Sequence, residues 1–288
     1  MSKPAINLIA PYSIDLGRNL NNVDYLRFLM GPTYPVFPVL SSLPTLAALT
    51  PDDFRVRLVD ENIEDIEFEE LPDVVGISFF THMANRAYRI ADEYRKRGVK
   101  VVLGGFHASA LPEEALQHAD AVVVGEAEDT WPELLDDFLS NKIKKLYRND
   151  HPPDLTKSPI PRWDLADTSK YSVHVVQTTR GCPYDCDFCS VRAFLGSKYR
   201  WKSDEQVYNE VQNALRIDPN KPVFLCDDNF IGNKKRAVRL LRSLKLLRAR
   251  YGTQVTLDLA EHDELLKTMA DSNFVQVFIG FESISSDN

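Results

Sequence analysis

Short apolar runs alternate with segments of helical periodicity along the first half of the chain. Each run is rich in Val, Ile and Leu, which is typical of strands in a parallel sheet whose two faces are covered by helices. The runs are AINLIAPY from Ala5, FRVRLVD from Phe54, VVGISFF from Val74, VKVVLGGFH from Val99 and AVVVGE from Ala121. We therefore predict an α/β fold class that begins with a doubly wound parallel-sheet domain over residues 1–145.

Helical segments separate these strands. One helix is predicted from Asn85 to Gly98, and a short one opens on Pro112. The next is predicted to begin with a capping box, in which Thr130 and Glu133 satisfy the free amide groups of the first turn. Together, these strands and helices form a first domain of typical size for a globular protein.

The alternation lapses over residues 146–170, where prolines and mixed charges predict an ordered connector. A second series of strands and helices then occupies residues 171–288. Its predicted strands are YSVHVVQTTRG from Tyr171, VFLCDDNF from Val223, QVTLDLA from Gln254 and FVQVFIGFES from Phe274. A lone series of this length leaves an open sheet with a bare edge, so we predict an incomplete barrel.

Three helices are predicted within this second series. The first starts at a capping box of Ser203 and Gln206, and the last is DELLKTMADS from Asp263. The middle helix runs from Lys234 to Tyr251. An apolar stripe of helical spacing is expected to face the core, and the Lys and Arg residues between its members to face solvent. The stripe consists of Ala237, Leu240, Leu241, Leu244, Leu247 and Tyr251.

The amino-acid composition argues against several classes of function. The 288 residues carry a formal charge of −8, which argues against a nucleic-acid partner because phosphate contacts need a basic face. No apolar run reaches ~18 residues, so no membrane-spanning segment is predicted. The first residues lack a basic head followed by a long apolar core, so we expect no signal peptide and a cytoplasmic location. Four unevenly spaced cysteines are then a poor disulfide framework.

Three of those cysteines lie within eight residues, as Cys182, Cys186 and Cys189. A structural zinc site normally has four ligands, and no second pair of ligands follows. The remaining Cys226 lies in an apolar strand, where a small buried hydrophobe is expected. Three thiolates leave one metal position open, which favours a reactive cluster, although a catalytic cysteine remains an alternative.

The same stretch carries a family resemblance. The spacing C-x3-C-x-aromatic-C, with Phe188 before the last cysteine, resembles the signature of radical S-adenosylmethionine (SAM) proteins. The resemblance implies that Cys182, Cys186 and Cys189 bind three irons of a [4Fe–4S] cluster. It further implies that SAM chelates the fourth iron and that Phe188 lies near the SAM adenine.

The resemblance extends over essentially the whole chain. The order of a doubly wound domain, PIPRWDL, VQTTRGCPYDCDFCS, VFLCDDNFIGNKK and VFIGFES is similar to cobalamin-binding radical SAM proteins, in the branch of hopanoid- and bacteriochlorophyll-methylating enzymes. This implies a cobalamin in the first domain and an electron donor such as flavodoxin or ferredoxin. It also implies a small-molecule substrate, for which an apolar polycyclic is the expectation. The family's barrel usually has six βα units, so the chain is expected to be C-terminally incomplete.

Strand ends of the first domain supply candidate cobalamin contacts. Paired glycines let a flat ligand approach the backbone, or they simply permit a tight turn. By resemblance, residues at three strand ends line the cobalamin tail: Ser78, Gly104, Gly105, Gly125 and Glu126. The D-x-H-x-x-G element that provides a cobalt ligand in many such domains is missing, since Leu58–Ile66 contains no histidine. His82 and His107 are expected to cap or pack at their loops.

Carboxylates at strand ends of the second domain are the remaining candidates. Side chains there face the active site in (β/α) barrels. We predict that Asp227 faces the SAM site and that Asp228 or Asn229 is structural, with capping of the next helix as their alternative role. Glu282 matches a position that resembles a SAM-contacting strand end.

The predicted function is methyl transfer to an unactivated carbon. By resemblance, a 5′-deoxyadenosyl radical would remove hydrogen from the substrate and methylcobalamin would deliver the methyl group. Two alternatives remain open: a cobalamin-dependent radical rearrangement or cyclisation without methyl transfer, and a truncated non-catalytic remnant that binds cofactors.

Overall fold

The computed structural model describes residues 3–12 and 41–281. The chain divides into two compact units. Unit 1 comprises Met1–Asp154 with Ser158–Ser172, and unit 2 comprises Leu155–Lys157 with Val173–Asn288. Each unit is built around its own parallel sheet.

Unit 1 contains a six-stranded parallel sheet of order β2-β1-β3-β4-β5-β6. Its strands are β1 (Ala5–Ala10), β2 (Arg55–Asp60), β3 (Val74–Ser78), β4 (Lys100–Gly104), β5 (Ala121–Val124) and β6 (Leu146–Arg148). The five strands predicted from apolar runs are confirmed. The sixth was missed, and it lies in the stretch that the sequence assigned to the connector.

Helices cover both faces of this sheet, as the apolar runs predict. Along β4, Val101 and Leu103 pack into one core cluster and Val102 into the other, because successive strand side chains point to opposite faces. The helices are α1 (Ser42–Leu49), α2 (Ala84–Lys96), α3 (Phe106–Ala110), α4 (Pro112–His118) and α5 (Thr130–Leu139). The doubly wound fold is therefore confirmed.

The capping box predicted for α5 is wrong. Asp129 is the N-cap residue, and Thr130 is already the first helical residue. The Thr130 hydroxyl is buried and has no hydrogen-bond partner among the described residues. The prediction failed because the helix starts one residue earlier than the motif requires.

The proline-rich segment packs onto unit 1 through specific hydrogen bonds. The Arg162 amide donates to the Pro44 carbonyl at 2.9 Å. The Tyr171 hydroxyl donates to Asp60 at 2.9 Å, at the end of β2. Residues 158–172 are thus an ordered part of this unit.

Unit 2 contains a four-stranded parallel sheet and a separate two-stranded hairpin. The sheet has the order β12-β11-β10-β7, and the hairpin pairs β8 with β9 in antiparallel fashion. The strands are β7 (His174–Val176), β8 (Thr179–Arg180), β9 (Arg200–Trp201), β10 (Val223–Leu225), β11 (Tyr251–Val255) and β12 (Phe274–Ile279). The open sheet agrees with the predicted incomplete barrel, and β12 leaves apolar side chains such as Val275 and Phe278 exposed.

Three helices of unit 2 begin where the sequence predicts and one of these ends earlier, whereas the short helix α6 was not predicted. They are α6 (Val191–Leu195), α7 (Asp204–Ile217), α8 (Lys234–Leu244) and α9 (Asp263–Asp271). The capping box of Ser203 and Gln206 is confirmed at α7. Helix α8 continues only as one 3-10 turn, Lys245–Leu247, after which Arg248 adopts a φ of 54°. Tyr251 therefore begins β11 and does not extend the helical stripe.

No helix in the described part of the chain is long and apolar enough to cross a membrane.

Candidate active site

The cysteine motif forms a closed loop between two hairpin strands. Strand β8 leads into it through Gly181, whose φ is 82°. A Cβ atom at this glycine would collide with backbone carbonyl oxygens of residues 195–198, so the position requires glycine. The Cys182 amide donates to the Gly196 carbonyl at 3.2 Å, which joins the two ends of the loop. Segment 182–196 is consequently closed at its base, and it follows the carboxyl end of β7, an edge strand of the unit 2 sheet.

The thiols of this loop are available for ligation. All four cysteines are free, Cys186 and Cys189 are exposed, and Cys182 is half-buried. Burial raises the pKa of the Cys182 thiol. Across residues 3–12 and 41–281, no group of three or more Cys, His, Asp or Glu side chains converges on a single metal position. The predicted cluster does not need such convergence, since each cysteine is expected to bind a different iron, and three free thiols fit it chemically.

The loop is braced on its outer side. The Cys189 amide donates to the Cys186 carbonyl at 3.0 Å, so these two cysteines belong to one turn. Arg192, on α6, pairs with Asp185 at 2.8 Å. Phe188 is 69% exposed, which leaves its ring accessible to a ligand such as the predicted adenine.

Asp227 does not face an open site, contrary to the prediction. Its side chain is 0% exposed and accepts hydrogen bonds from the Thr178 and Thr179 amides at 2.7 and 2.8 Å. The neighbouring Asp228 is exposed. Asp227 is therefore a buried structural residue, because the second residue after β10 points into the core.

Asn229 has the structural role that the sequence allowed for it, although it does not cap α8. It is buried, and its side chain accepts from the Ile231 amide at 3.2 Å. The cap of α8 is Asn233, whose side chain accepts from the amide of Arg236 at 3.1 Å. Glu282, the last predicted SAM contact, lies outside the described residues.

The candidate cobalamin residues gather at one edge of the unit 1 sheet. Ser78 and Gly104 are register partners at the carboxyl ends of β3 and β4. The buried Ser78 hydroxyl lies 3.2 Å from the Ser42 hydroxyl of α1. Gly105 has a φ of 94°, and a Cβ there would lie 2.7 Å from the Phe79 backbone, whereas at Gly104 the nearest atom would be 3.7 Å away. Gly105 is required by the chain's own packing, and Gly104 is not.

The end of β5 contributes a more open turn to the same edge. Gly125 is exposed, has a φ of 82°, and a Cβ there would meet nothing within 4 Å. Its amide donates to the Ser109 hydroxyl at 2.9 Å. Glu126 is half-buried, and its carbonyl accepts from the Asn149 side chain at 3.4 Å. Free space beside a glycine at a strand end suits a bound ligand.

His82 and His107 behave as packing residues. His107 is buried, and its ring lies 5.7 Å from Phe79 between centroids. Its Nε2 atom lies 3.4 Å from Glu114. His82 is exposed and stacks on Phe80 at 5.9 Å.

A buried ion pair follows β2, in the segment that lacks the cobalt-ligating histidine. The Glu61 side chain is 0% exposed and pairs with Arg86, whose Nε donates to it at 2.9 Å. Sequence reasoning missed this pair because the two residues are 25 positions apart.

Two residues beside the cysteine loop were also missed. Thr178 precedes β8 and is fully buried, and Arg236 of α8 is only 2% exposed. The sequence placed Arg236 on a solvent face, which is wrong. Its guanidinium donates to the Thr178 carbonyl at 3.2 Å. Periodicity alone does not reveal this contact, because a charged residue next to an apolar stripe usually faces water.

Two family models match the chain. A B12 binding domain model matches residues 42–135, which lie in unit 1. A radical SAM superfamily model matches residues 176–287, which include the cysteine loop. The two matches together give the domain order that the sequence resemblance implies.

Curated relatives share this organisation. The chain is 36% identical to bacteriochlorophyllide d C-8(2)-methyltransferase of Chlorobaculum tepidum, over 84% of this chain and 57% of that protein. It is 32% identical to hopanoid C-2 methylase of Rhodopseudomonas palustris, over 84% of this chain and 48% of that protein. The chain thus spans about half the length of these relatives.

A solved structure shows the same fold. The radical S-adenosylmethionine methyltransferase TsrM of Kitasatospora setae, with cobalamin and a [4Fe–4S] cluster bound, superposes with a TM-score of 0.72. The match covers 100% of this chain and 62% of TsrM at 18% identity, so it supports the fold alone. With both domain families and the curated relatives in agreement, the chain belongs to the cobalamin-binding radical SAM family.

Proposed function

We propose that this protein is a cobalamin-dependent radical SAM methyltransferase that methylates an unactivated carbon. The observation that carries the proposal is the presence, in one chain, of a free three-cysteine loop at the end of a parallel sheet and of a B12 binding domain. Relatives named as methyltransferases support the reaction class.

The cysteine loop provides the cluster ligands in this proposal. Cys182, Cys186 and Cys189 each ligate one iron and leave the fourth for SAM. The exposure of Cys186 and Cys189 lets the cluster assemble on a folded loop. The exposed Phe188 ring lies on the same loop and provides a surface for the adenine.

The open edge of unit 1 holds the cobalamin. Ser78, Gly104 and Gly125 terminate three adjacent strands, and the space beside Gly125 admits a ligand close to the backbone. When bound, the cofactors supply radical generation and the methyl group, and the protein supplies orientation and exclusion of water.

No protein histidine is proposed as the lower cobalt ligand. In segment Leu58–Ile66, Glu61 could be considered as a cobalt ligand, but its carboxylate is already paired with Arg86. His107 is engaged by Phe79 and Glu114. Axial ligation tunes metal reactivity, so a cobalt without an imidazole ligand would hold its methyl group differently.

We also propose a substrate class and an electron donor. Two relatives are named for a bacteriochlorophyllide and a hopanoid, which are large ring systems, so we propose an apolar polycyclic substrate. The one-electron reductant would be a flavodoxin or a ferredoxin.

The test is anaerobic reconstitution with iron and sulfide, followed by reduction in the presence of SAM. The expected result is a brown protein that forms 5′-deoxyadenosine. Changing Cys182, Cys186 or Cys189 to Ala should abolish both properties. Cys226→Ala is the matched control, since Cys226 lies outside the loop, and it should keep both. Survival of either property in a loop variant would contradict the proposal.

A second measurement separates methyl transfer from rearrangement. SAM carrying an isotopically labelled methyl group is supplied together with candidate polycyclic substrates. Label in the product supports the methyltransferase. An unlabelled, rearranged product would support the alternative radical reaction, and no turnover with a complete set of cofactors would support a cofactor-binding remnant.

A further inference from the structure

A set of buried charges surrounds the two residues that lead into the cysteine loop. Thr178 and Thr179, here called the loop root, lie at the start of β8 and are almost fully buried. Thr179 lies three positions before Cys182. Any movement of the root therefore moves the first cysteine.

Asp227 holds the root through three hydrogen bonds. Its carboxylate accepts from the amides of Thr178 and Thr179 at 2.7 and 2.8 Å and from the Thr178 hydroxyl. Charged acceptors form the stronger class of hydrogen bond, and burial removes the competition of water. One side chain thus fixes two successive peptide units.

Arg236 holds the root from another element. Its Nη2 atom donates to the carbonyl and the hydroxyl of Thr178, both at 3.2 Å. Its Nε and Nη1 atoms are buried without a hydrogen-bond partner among the described residues. Burial raises the pKa of Asp227, and the hydrogen bonds it accepts and the Arg236 charge oppose that shift. The guanidinium remains in this costly position because it compensates the buried carboxylate.

A buried ion pair also lies beside the loop root. Lys202, which follows β9, pairs with Glu210 of α7, and both side chains are at most 6% exposed. The Lys202 amide donates to the Thr178 carbonyl at 3.0 Å. Asp227 after β10, Arg236 of α8 and Lys202 after β9 therefore all bond to the loop root.

We infer that Asp227 and Arg236 are positioning residues that set the orientation of the cysteine loop through Thr178 and Thr179. The consequence of this positioning for a bound cluster rests on the proposed function. Groups beyond the direct ligands orient those ligands in metal sites, and their loss weakens metal binding. Asp227 and Arg236 have this relation to Cys182, since they contact the root and not the thiol.

The first test uses the cluster-free protein. In Asp227→Asn the negative charge is lost, and an NH2 group replaces the oxygen that accepts from the Thr178 hydroxyl, so that hydrogen bond is lost in its present direction. Hydrogen–deuterium exchange of the peptide that contains the root should accelerate about 10-fold or more. Alkylation of the half-buried Cys182 should accelerate similarly, while that of the exposed Cys186 and Cys189 should not change.

Two controls separate positioning from general destabilisation. Asp228→Asn removes the same charge one position later, at an exposed side chain, and should leave exchange at the root unchanged. Glu210→Gln removes a buried carboxylate that does not bond to the root, and should lower thermal stability without accelerating Cys182 alkylation. Equal acceleration in Glu210→Gln and Asp227→Asn would overturn the inference.

A milder variant covers the case in which Asp227→Asn does not fold. Thr178→Val removes only the hydroxyl that bonds to both charged groups, and Cys182 alkylation should accelerate about 5-fold. Native alkylation and exchange rates in this variant would contradict the inference.

The second test uses the reconstituted protein. Asp227→Asn should bind iron about 10-fold more weakly and give an altered electron paramagnetic resonance spectrum. Absence of a cluster from the native chain would refute the proposed function, and the exchange and alkylation results would still decide the positioning roles. A native spectrum and native iron affinity in Asp227→Asn would overturn the link to the cluster.

Discussion

Replacement of Gly105 by alanine should destabilise unit 1 strongly, and replacement of Gly104 should not. Gly105 follows β4 with φ 94° and ψ −174°, a conformation that is essentially restricted to glycine. An added Cβ atom would lie 2.7 Å from both the nitrogen and the oxygen of Phe79. These are backbone atoms of the neighbouring strand end, so they cannot rotate away as a side chain would.

The magnitude follows from two contributions. Holding a residue with a Cβ in this backbone region costs roughly 1–3 kcal/mol. Displacing Phe79 costs about 1–3 kcal/mol more, as for other overpacked sites. We therefore expect Gly105→Ala to lower the free energy of unfolding by about 4 kcal/mol, the middle of the summed range. For Gly104→Ala the nearest atom is 3.7 Å away, an ordinary contact, and the expected change is below about 1 kcal/mol.

Urea unfolding followed by tryptophan fluorescence measures this difference, since Trp131 and Trp163 both lie in unit 1. The midpoint of Gly105→Ala should fall well below that of the native chain, and that of Gly104→Ala should stay close to it. Similar midpoints for the two variants would contradict this expectation. They would mean that Gly105 is not constrained by the fold and is present for another reason.

Two further predictions concern unit 2. Ser203→Ala should lower the free energy of unfolding by about 1 kcal/mol, because the Gln206 amide loses its acceptor at the start of α7, and an unchanged urea midpoint would contradict this. Burial lowers the pKa of His174, whose Nε2 donates to the Asp218 carbonyl at 2.9 Å. Below pH ~6.5, the unfolded chain therefore binds a proton at this histidine that the folded chain does not bind. Stability should therefore fall as the pH drops through that range, by at most about 1.4 kcal/mol per pH unit, and His174→Gln should remove this component; an identical pH dependence in the variant would contradict it.

The parallel sheets could be predicted from sequence because buried strands leave a strong local signal. Val101, Val102 and Leu103 are all apolar since both faces of β4 are covered. The capping box of Ser203 likewise depends only on residues three positions apart. Strand β6 was missed because its three residues, Leu146–Arg148, are buried only at Tyr147.

The cysteine motif could also be predicted from sequence, since its residues lie in one short stretch. The residues that surround the motif in the fold could not be predicted. Asp227 and Thr178 are 49 positions apart, and their contact exists only once β7 and β10 pair. Arg236 was assigned to solvent because its burial depends on that same contact and on no local pattern. Long-range polar contacts of this kind were the main part of the site that sequence reasoning did not predict.

In the proposed function, Cys182, Cys186 and Cys189 hold a cluster with one iron open to SAM. Electron paramagnetic resonance of the reduced, reconstituted protein, recorded with and without SAM, tests this arrangement. We expect a [4Fe–4S] signal that changes when SAM binds and that disappears in the Cys182→Ala variant. A signal that ignores SAM, or one that persists in Cys182→Ala, would contradict it.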